Sequence, residues 1–248
     1  MDIPITLTLT LVFGLVCFMV GLSKAGFGGA LGFLLTPILA LVIPLNKAVG
    51  IMLPVLMLGD VFALAAYWRK WEARQMWILL AGGVAGVIAA TFVLVNVPVD
   101  WLKKGLALLV IVFLCYRLLE RRILASLNYR SQPWHGLLAG STAGFTSALA
   151  HAGGPPIAIY LLLQRLPPAI YIGTTVLFFA VLNWLKVPFY YAGGLFDFPL
   201  QLRLIWMLPM VPLGVWVGKS LVDRINRRIF EQVILVLLAI SAVLLLLE

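Results

Sequence analysis

The chain has 248 residues, of which 63% are hydrophobic and 11% charged, and its mean hydropathy is +1.10. Soluble domains carry about 25% charged residues, so a soluble enzyme is excluded. The formal charge of +9, from 18 basic and 9 acidic residues, would suggest nucleic acid in a soluble protein. Here most basic residues sit in short loops between apolar runs, the pattern that orients membrane spans, so the partner is the lipid bilayer and not nucleic acid. At roughly 20 apolar residues per span the length accommodates about eight to ten membrane elements.

The N-terminal MDIPITLTLT has no basic stretch before its apolar run and reads as a retained first helix. Apolar runs bounded by charge or by Gly and Pro follow at about 5–22, 27–43, 48–67, 76–95 and 102–119. After the basic linker ERRILASLNYRSQP they resume at about 134–150, 155–165, 169–190, 201–219 and 228–247. The run at 155–165 reaches only about 17 Å at 1.5 Å per residue, against a hydrocarbon core of about 30 Å. It cannot cross alone.

The loops carry the orientation. Arg69, Lys70 and Arg74, then Arg117, Arg121, Arg122 and Arg130, then Lys219, Arg224, Arg227 and Arg228 mark three cytoplasmic segments and put both termini outside. The stretches Asn96 to Asp100 and Gly193 to Pro199 hold no Lys or Arg and one Asp each, as suits the outer face. The run at 48–67 therefore points inward and that at 169–190 outward. Matched residues agree with that opposition: Gly28-Gly29 with Gly153-Gly154, Pro44 with Pro167, Gly50 with Gly173, Asp60 with Asn183, and Gly82/Gly86 with Gly214/Gly218. The expected fold is an all-α polytopic membrane protein of two inverted repeats, residues 1–119 and 134–248, joined by a cytoplasmic linker at 120–133. Each repeat is a broken-helix hairpin followed by three transmembrane helices.

The two breaks, SKAGFGG and HAGGPP, are expected near mid-membrane, where irregular backbone survives only if buried or lining a wet cavity. Gly28 and Gly29 precede a helix from Ala30, and Gly153 and Gly154 precede Pro155, a favoured first helical residue. Helix starts offer unpaired N–H groups and partial positive charge, so the implied ligand is a small anion with several acceptor oxygens. The candidate substrate-binding residues are Lys24, Gly26, Phe27, Gly28 and Gly29 on the first break and His151, Ala152, Gly153, Gly154 and Pro155 on the second, with Thr175 and Asn183 beyond. Lys24 is either offset by a bound oxyanion or sits higher and snorkels to the interface. His151 is a donor to the anion or the carrier of a coupling proton. Asp60 either exchanges protons during transport or forms a static pair with Lys24. Its counterpart Asn183 is neutral, with Lys186 one helical turn further on. Thr36, Tyr160, Gln164, Thr174 and Thr175 read first as helix-packing hydrogen bonds.

The GxxxG pairs Gly82/Gly86, Gly140/Gly144 and Gly214/Gly218 allow close helix packing, within the chain or in a homodimer. Cys17 and Cys115 lie in apolar runs and read as buried thiols. Trp68, Trp71, Trp77, Trp101 and Trp134 fall near span ends, where an interfacial belt needs them. With no HExxH, P-loop or nucleophile elbow in the chain, no catalytic residue, metal or cofactor is expected.

The runs GLSKAGFGGALGFLLTP and HAGGPPIAIYLL, separated by a basic linker between two repeated halves, resemble the sulfite exporter TauE/SafE family over nearly the whole chain. That resemblance implies a secondary transporter, an exporter or a proton-coupled carrier, in the bacterial inner membrane. Its implied substrates are sulfur-containing anions such as sulfite, sulfoacetate, isethionate or related organosulfonates. An anion channel and a carrier of non-sulfur organic anions are the alternatives.

Overall fold

A computed structural model of the chain describes residues 4–29, 32–96 and 132–224, with single positions at 226, 229 and 232. The expected span at 102–119, nearly all of that at 228–247, and the linker up to residue 131 lie outside the described residues. Regular structure among them is entirely helical: α1 (Leu7–Phe27), α2 (Gly32–Ala40), α3 (Leu45–Ala66), α4 (Ala73–Asn96), α5 (Pro133–Ala150), α6 (Gly154–Leu163), α7 (Pro168–Ala192), α8 (Phe198–Leu204) and α9 (Met210–Val222). A 3-10 turn, Ile205–Met207, links α8 to α9. Among the described residues four helices are long and apolar enough to cross a membrane, Leu7–Phe27, Lys47–Ala66, Ala73–Phe92 and Pro168–Ala192, and the bent pair Phe198–Met207 with Met210–Val222 makes a fifth if it is one span. The chain is a multi-pass membrane protein. Leu7, Leu11 and Leu15, one face of α1, are all exposed, and that face suits lipid. Trp68, Trp77 and Trp134 are exposed at helix ends, where an aromatic belt would lie.

Three expected elements are drawn differently. SKAGFGG is not a break throughout, because α1 stays helical to Phe27 and only then turns left-handed, at Gly28 (φ 59°). Ser, Lys and Ala tolerate a helix, and nothing obliges the chain to leave it before a glycine can take positive φ. The second arm of the first hairpin, expected at 27–43, is the nine-residue α2, about 14 Å long. It is as short as its ten-residue counterpart α6. The apolar run 201–219 is not one straight helix, since Phe198–Met207 and Met210–Val222 meet at 52°. Pro209 sits at that bend, where it can supply no N–H to the preceding turn.

Packing brings the two halves through one another. Gly50 near the start of α3 abuts the Leu195 carbonyl in the loop after α7, while Gly173 near the start of α7 abuts the Lys70 carbonyl in the loop after α3. These reciprocal contacts make α3 and α7 antiparallel. The pair α4 and α5 runs parallel with backbones touching, Gly82 against Leu137, Gly86 against Ser141, Gly140 against Leu79 and Gly144 against Gly83. The pair α1 and α9 repeats the pattern, Gly21 against Val211 and Gly214 against Phe18. All three GxxxG pairs are thus used inside the chain, where glycine alone lets the helices approach so closely.

The 123-residue spacing between Asp60 and Asn183 also relates other features of the two halves. It connects the left-handed helix ends at Gly28 and His151 (φ 59° and 55°) and the extended Pro44 and Pro167 that precede α3 and α7. It also connects two buried tyrosines that tie the long helices to the hairpins: Tyr67 donates to the Ala25 carbonyl (2.6 Å) and Tyr190 to that of Ala148 (2.9 Å). Pro54 has no such counterpart. Lacking an N–H, it leaves the Gly50 carbonyl without its usual helical donor, and the Gln201 amide from α8 donates there instead (3.4 Å).

Candidate functional site

The last turns of α1 and α5, the first turn of α6 and the middles of α3 and α7 converge on a buried polar cluster. Lys24 on α1 forms an ion pair with Oδ1 of Asp60 on α3. The other oxygen, Oδ2, accepts from Asn183 Nδ2 on α7 at 2.6 Å. Lys24 and Asp60 are 4% and 2% exposed, so Lys24 does not snorkel. A buried ammonium in an apolar surround requires a partner, and Asp60 is that partner. The Lys24 Nζ also lies 5.7 Å from the centroid of the Phe179 ring, close enough for a cation–π contribution.

The second half supplies a different constellation. Lys186 on α7 is fully buried, and its Nζ donates to the Ser147 carbonyl (3.2 Å) and hydroxyl (3.1 Å) and to Nδ1 of His151 (3.3 Å). His151 Nε2 lies 3.1 Å from the Val49 carbonyl oxygen. A carbonyl can only accept, so Nε2 carries the proton, and Nδ1 offers a lone pair to Lys186. His151 thus has both ring nitrogens engaged. It bridges α3 and α7 and is not a spare donor.

The two breaks differ in what their backbones offer. The N–H groups of Gly28 and Gly29 both bond to the Ser23 carbonyl, the latter at 2.8 Å, which closes α1 in the manner of a helix C-cap. These donors, expected to face a ligand, are consumed by the cap. At the second break the N–H groups of His151 and Ala152 return to Ser147 and Thr146. Those of Gly153 and Gly154 meet no backbone acceptor among the described residues. Pro155 and Pro156 follow without N–H groups, so Gly154 is the donor at the mouth of α6.

A cavity of about 20 Å³ lies between the breaks, bounded by Lys24, Gly29, Ser147, His151, Gly154 and Asn183 with Val20, Ser23, Gly32, Leu35, Leu56 and Phe179. That volume holds about one water, so the site is closed down in this conformation. Five of the expected residues line it: Lys24, Gly29, His151, Gly154 and Asn183. The others stand elsewhere or behind. Gly26 packs on Gly218 of α9, and Phe27 belongs to the apolar core. Gly28 faces Tyr171 and Thr175. The Thr175 hydroxyl donates to the Tyr171 carbonyl, and Gly153 is closed off by Ala143, Ser147 and Phe179. Ala152 is tied to Thr146 through both its N–H and its carbonyl, and Pro155 is half-buried beside it. Ser147 and Lys186 were not among the expected binding residues. A lysine buried one turn beyond Asn183 was the available signal.

Away from the cavity the minor polar residues pack helices together. Tyr160 donates to Gln75, whose amide donates to Gln164 at 3.4 Å, and Thr174 accepts from the Glu72 N–H at 2.9 Å. On the opposite end Lys47 pairs with Asp197 at 2.7 Å.

Comparison with protein families matches residues 13–245 to one model, described as "Sulfite exporter TauE/SafE". Comparison with curated proteins and with solved structures returns no match.

Proposed function

The chain belongs to the TauE/SafE sulfite exporter family, whose members are membrane transporters of sulfite or related anions. From that premise we propose that it is a secondary carrier of small sulfur-containing oxyanions, such as sulfite, sulfoacetate and other organosulfonates, across the bacterial inner membrane. The observation that carries this reading is the cavity lined by both Lys24 and Gly154, the first residue of α6. An ammonium and a helix start both favour an anion. Residues 1–119 and 134–248 are, in this reading, two inverted repeats that rock about the site. Its supports are the antiparallel α3 and α7, the reciprocal glycine contacts and the recurring spacing.

Asp60 competes with the substrate for Lys24. Protonation of Asp60 releases the ammonium to the anion, and loss of the proton restores the ion pair, which couples occupancy to a proton gradient. The test is counterflow of labelled sulfite in proteoliposomes. A carrier exchanges external label for internal substrate and accumulates it transiently; a channel only equilibrates it. Asp60→Asn is expected to stop accumulation against a gradient while exchange continues. Equilibration without counterflow by the wild-type protein would overturn the carrier reading.

A further inference from the structure

We propose that the ring of Phe179 on α7 is the size-determining wall of the anion site, admitting compact oxyanions and excluding those with a bulky tail. This deepens the carrier reading above and rests on it. The cavity holds about one water. An oxyanion needs more room than that, so parts of the site move apart on binding, and whichever wall stays in place limits what fits. The apolar walls are Val20, Leu35, Leu56 and Phe179, and Phe179 is the bulkiest of them.

Three contacts put that ring at the centre of the site. The Lys24 Nζ lies 5.7 Å from its centroid. A Cβ built on Gly29 of the first break would come within 3.8 Å of the ring, and one on Gly153 of the second within 2.8 Å. The ring thus stands between both breaks and beside the cation. An anion held between Lys24 and Gly154 has it as a neighbour.

The ring has little space into which to retreat. Behind it the Phe178 ring packs edge-on, with centroids 5.1 Å apart. Phe178 is fully buried and wedged against α4, where a Cβ on Gly83 would come within 2.7 Å of it. Gly83 is in turn in backbone contact with Gly144 of α5. A wall backed in this way holds against a ligand, because a close-packed interior does not yield readily to added volume. The 123-residue spacing relates Phe179 to Leu56 on α3, which also lines the cavity. Because α3 and α7 are antiparallel, the two lie on opposite sides of the Asp60–Asn183 hydrogen bond, each one helical turn away. Leu56 is therefore the matched control.

Methanesulfonate and benzenesulfonate share a charge and a headgroup and differ in the tail. Binding of each to the purified full chain in nanodiscs, measured by calorimetry, tests the inference. Wild-type protein is expected to bind methanesulfonate at least about tenfold more tightly than benzenesulfonate. Phe179→Ala vacates a phenyl-sized space and is expected to gain at least about tenfold in benzenesulfonate affinity, with methanesulfonate changed by less than about threefold. Phe179→Leu, which keeps apolar fill without the ring, is expected to shift the ratio in the same direction by less, and Leu56→Ala to leave it near the wild-type value. A general loss of packing would weaken both ligands together, so the ratio separates a selective wall from a structural one. Equal binding of the two sulfonates by wild-type protein would overturn the inference, whether or not the variants fold, and leave the carrier reading standing. An unchanged ratio in folded Phe179→Ala or Phe179→Leu would also overturn it, as would a ratio shifted as far by Leu56→Ala as by Phe179→Ala. Failure of wild-type protein to bind sulfite and both sulfonates would overturn the carrier reading itself.

Discussion

The two hairpins share a backbone plan and divide the chemistry between them. In the first, the hairpin helix carries the cation, Lys24, and the long helix carries its acceptor, Asp60. In the second the roles are exchanged: the long helix carries Lys186, and the hairpin supplies Ser147 and His151 as acceptors. The breaks differ in the same way. The first spends its glycine N–H groups on capping α1, while the second leaves an N–H at the start of α6. Two hairpins alike in backbone thus carry unlike polar groups, and the proposed anion site draws on that difference.

The largest expected effect comes from attacking the shared plan. Gly144→Val in the α5 contact with α4 and Gly214→Val in the α9 contact with α1 each drive a side chain into a backbone carbonyl, which cannot move aside as a side chain would. Each is expected to cost about 3 kcal/mol or more. The readout is loss of monodisperse protein in size-exclusion chromatography. Normal yield of one variant beside failure of the other would show that the two helix pairs are not equivalent.

Attacking the asymmetry comes next. Lys24→Met leaves Asp60 buried without its cation, and Asp60→Asn leaves Lys24 without its anion, so each is expected to destabilise by about 3 kcal/mol. Replacing both together removes the pair and is expected to cost less than the sum of the singles. Thermal unfolding of the full cycle measures this coupling. Additive losses would mean that the ion pair is not the main partner of either group.

How much of this could be read from the chain follows from which signals are local. The breaks were legible because Gly28 and the prolines at 155 and 156 act on their own backbone, through positive φ and missing N–H groups. Lys24 and Asp60 were legible because charge stands out in an apolar run. Their pairing, across 36 residues, was one of two open readings, since no local rule says which face of α3 meets α1. The commitment of His151 to Val49 and Lys186 was not legible at all, because it depends on α3 and α7 crossing beside it. The bend at Pro209 had a local sign, which the overall hydrophobicity of 201–219 outweighed.

A smaller effect sharpens the comparison. Tyr67→Phe and Tyr190→Phe each remove one hydrogen bond from a long helix to a hairpin and leave a carbonyl without it. Each is expected to cost about 1 kcal/mol, and the halves correspond closely if the two shifts in melting temperature agree. The smallest effect lies at the surface. Asp197 is held below the usual carboxylate range, chiefly by its hydrogen bond from Lys47. A carboxylate depressed in the folded state contributes stability above its unfolded value of about 3.9 and loses it as pH falls through the folded one. Lys47→Ala is therefore expected to lower the melting temperature slightly at neutral pH and to have no such effect in acid, once Asp197 is protonated in the folded protein.

The central claim, that an oxyanion binds where the two breaks meet, is tested most directly with a heavier relative of sulfite. A crystal of the protein grown with selenite, measured at the selenium absorption edge, would locate the ion by its anomalous signal. The account predicts one strong peak between α1 and the start of α6, with oxygens about 3 Å from Lys24 Nζ and the Gly154 nitrogen. A selenium peak elsewhere in the bundle, with the Lys24–Asp60 pair undisturbed and the cavity still closed, would contradict it.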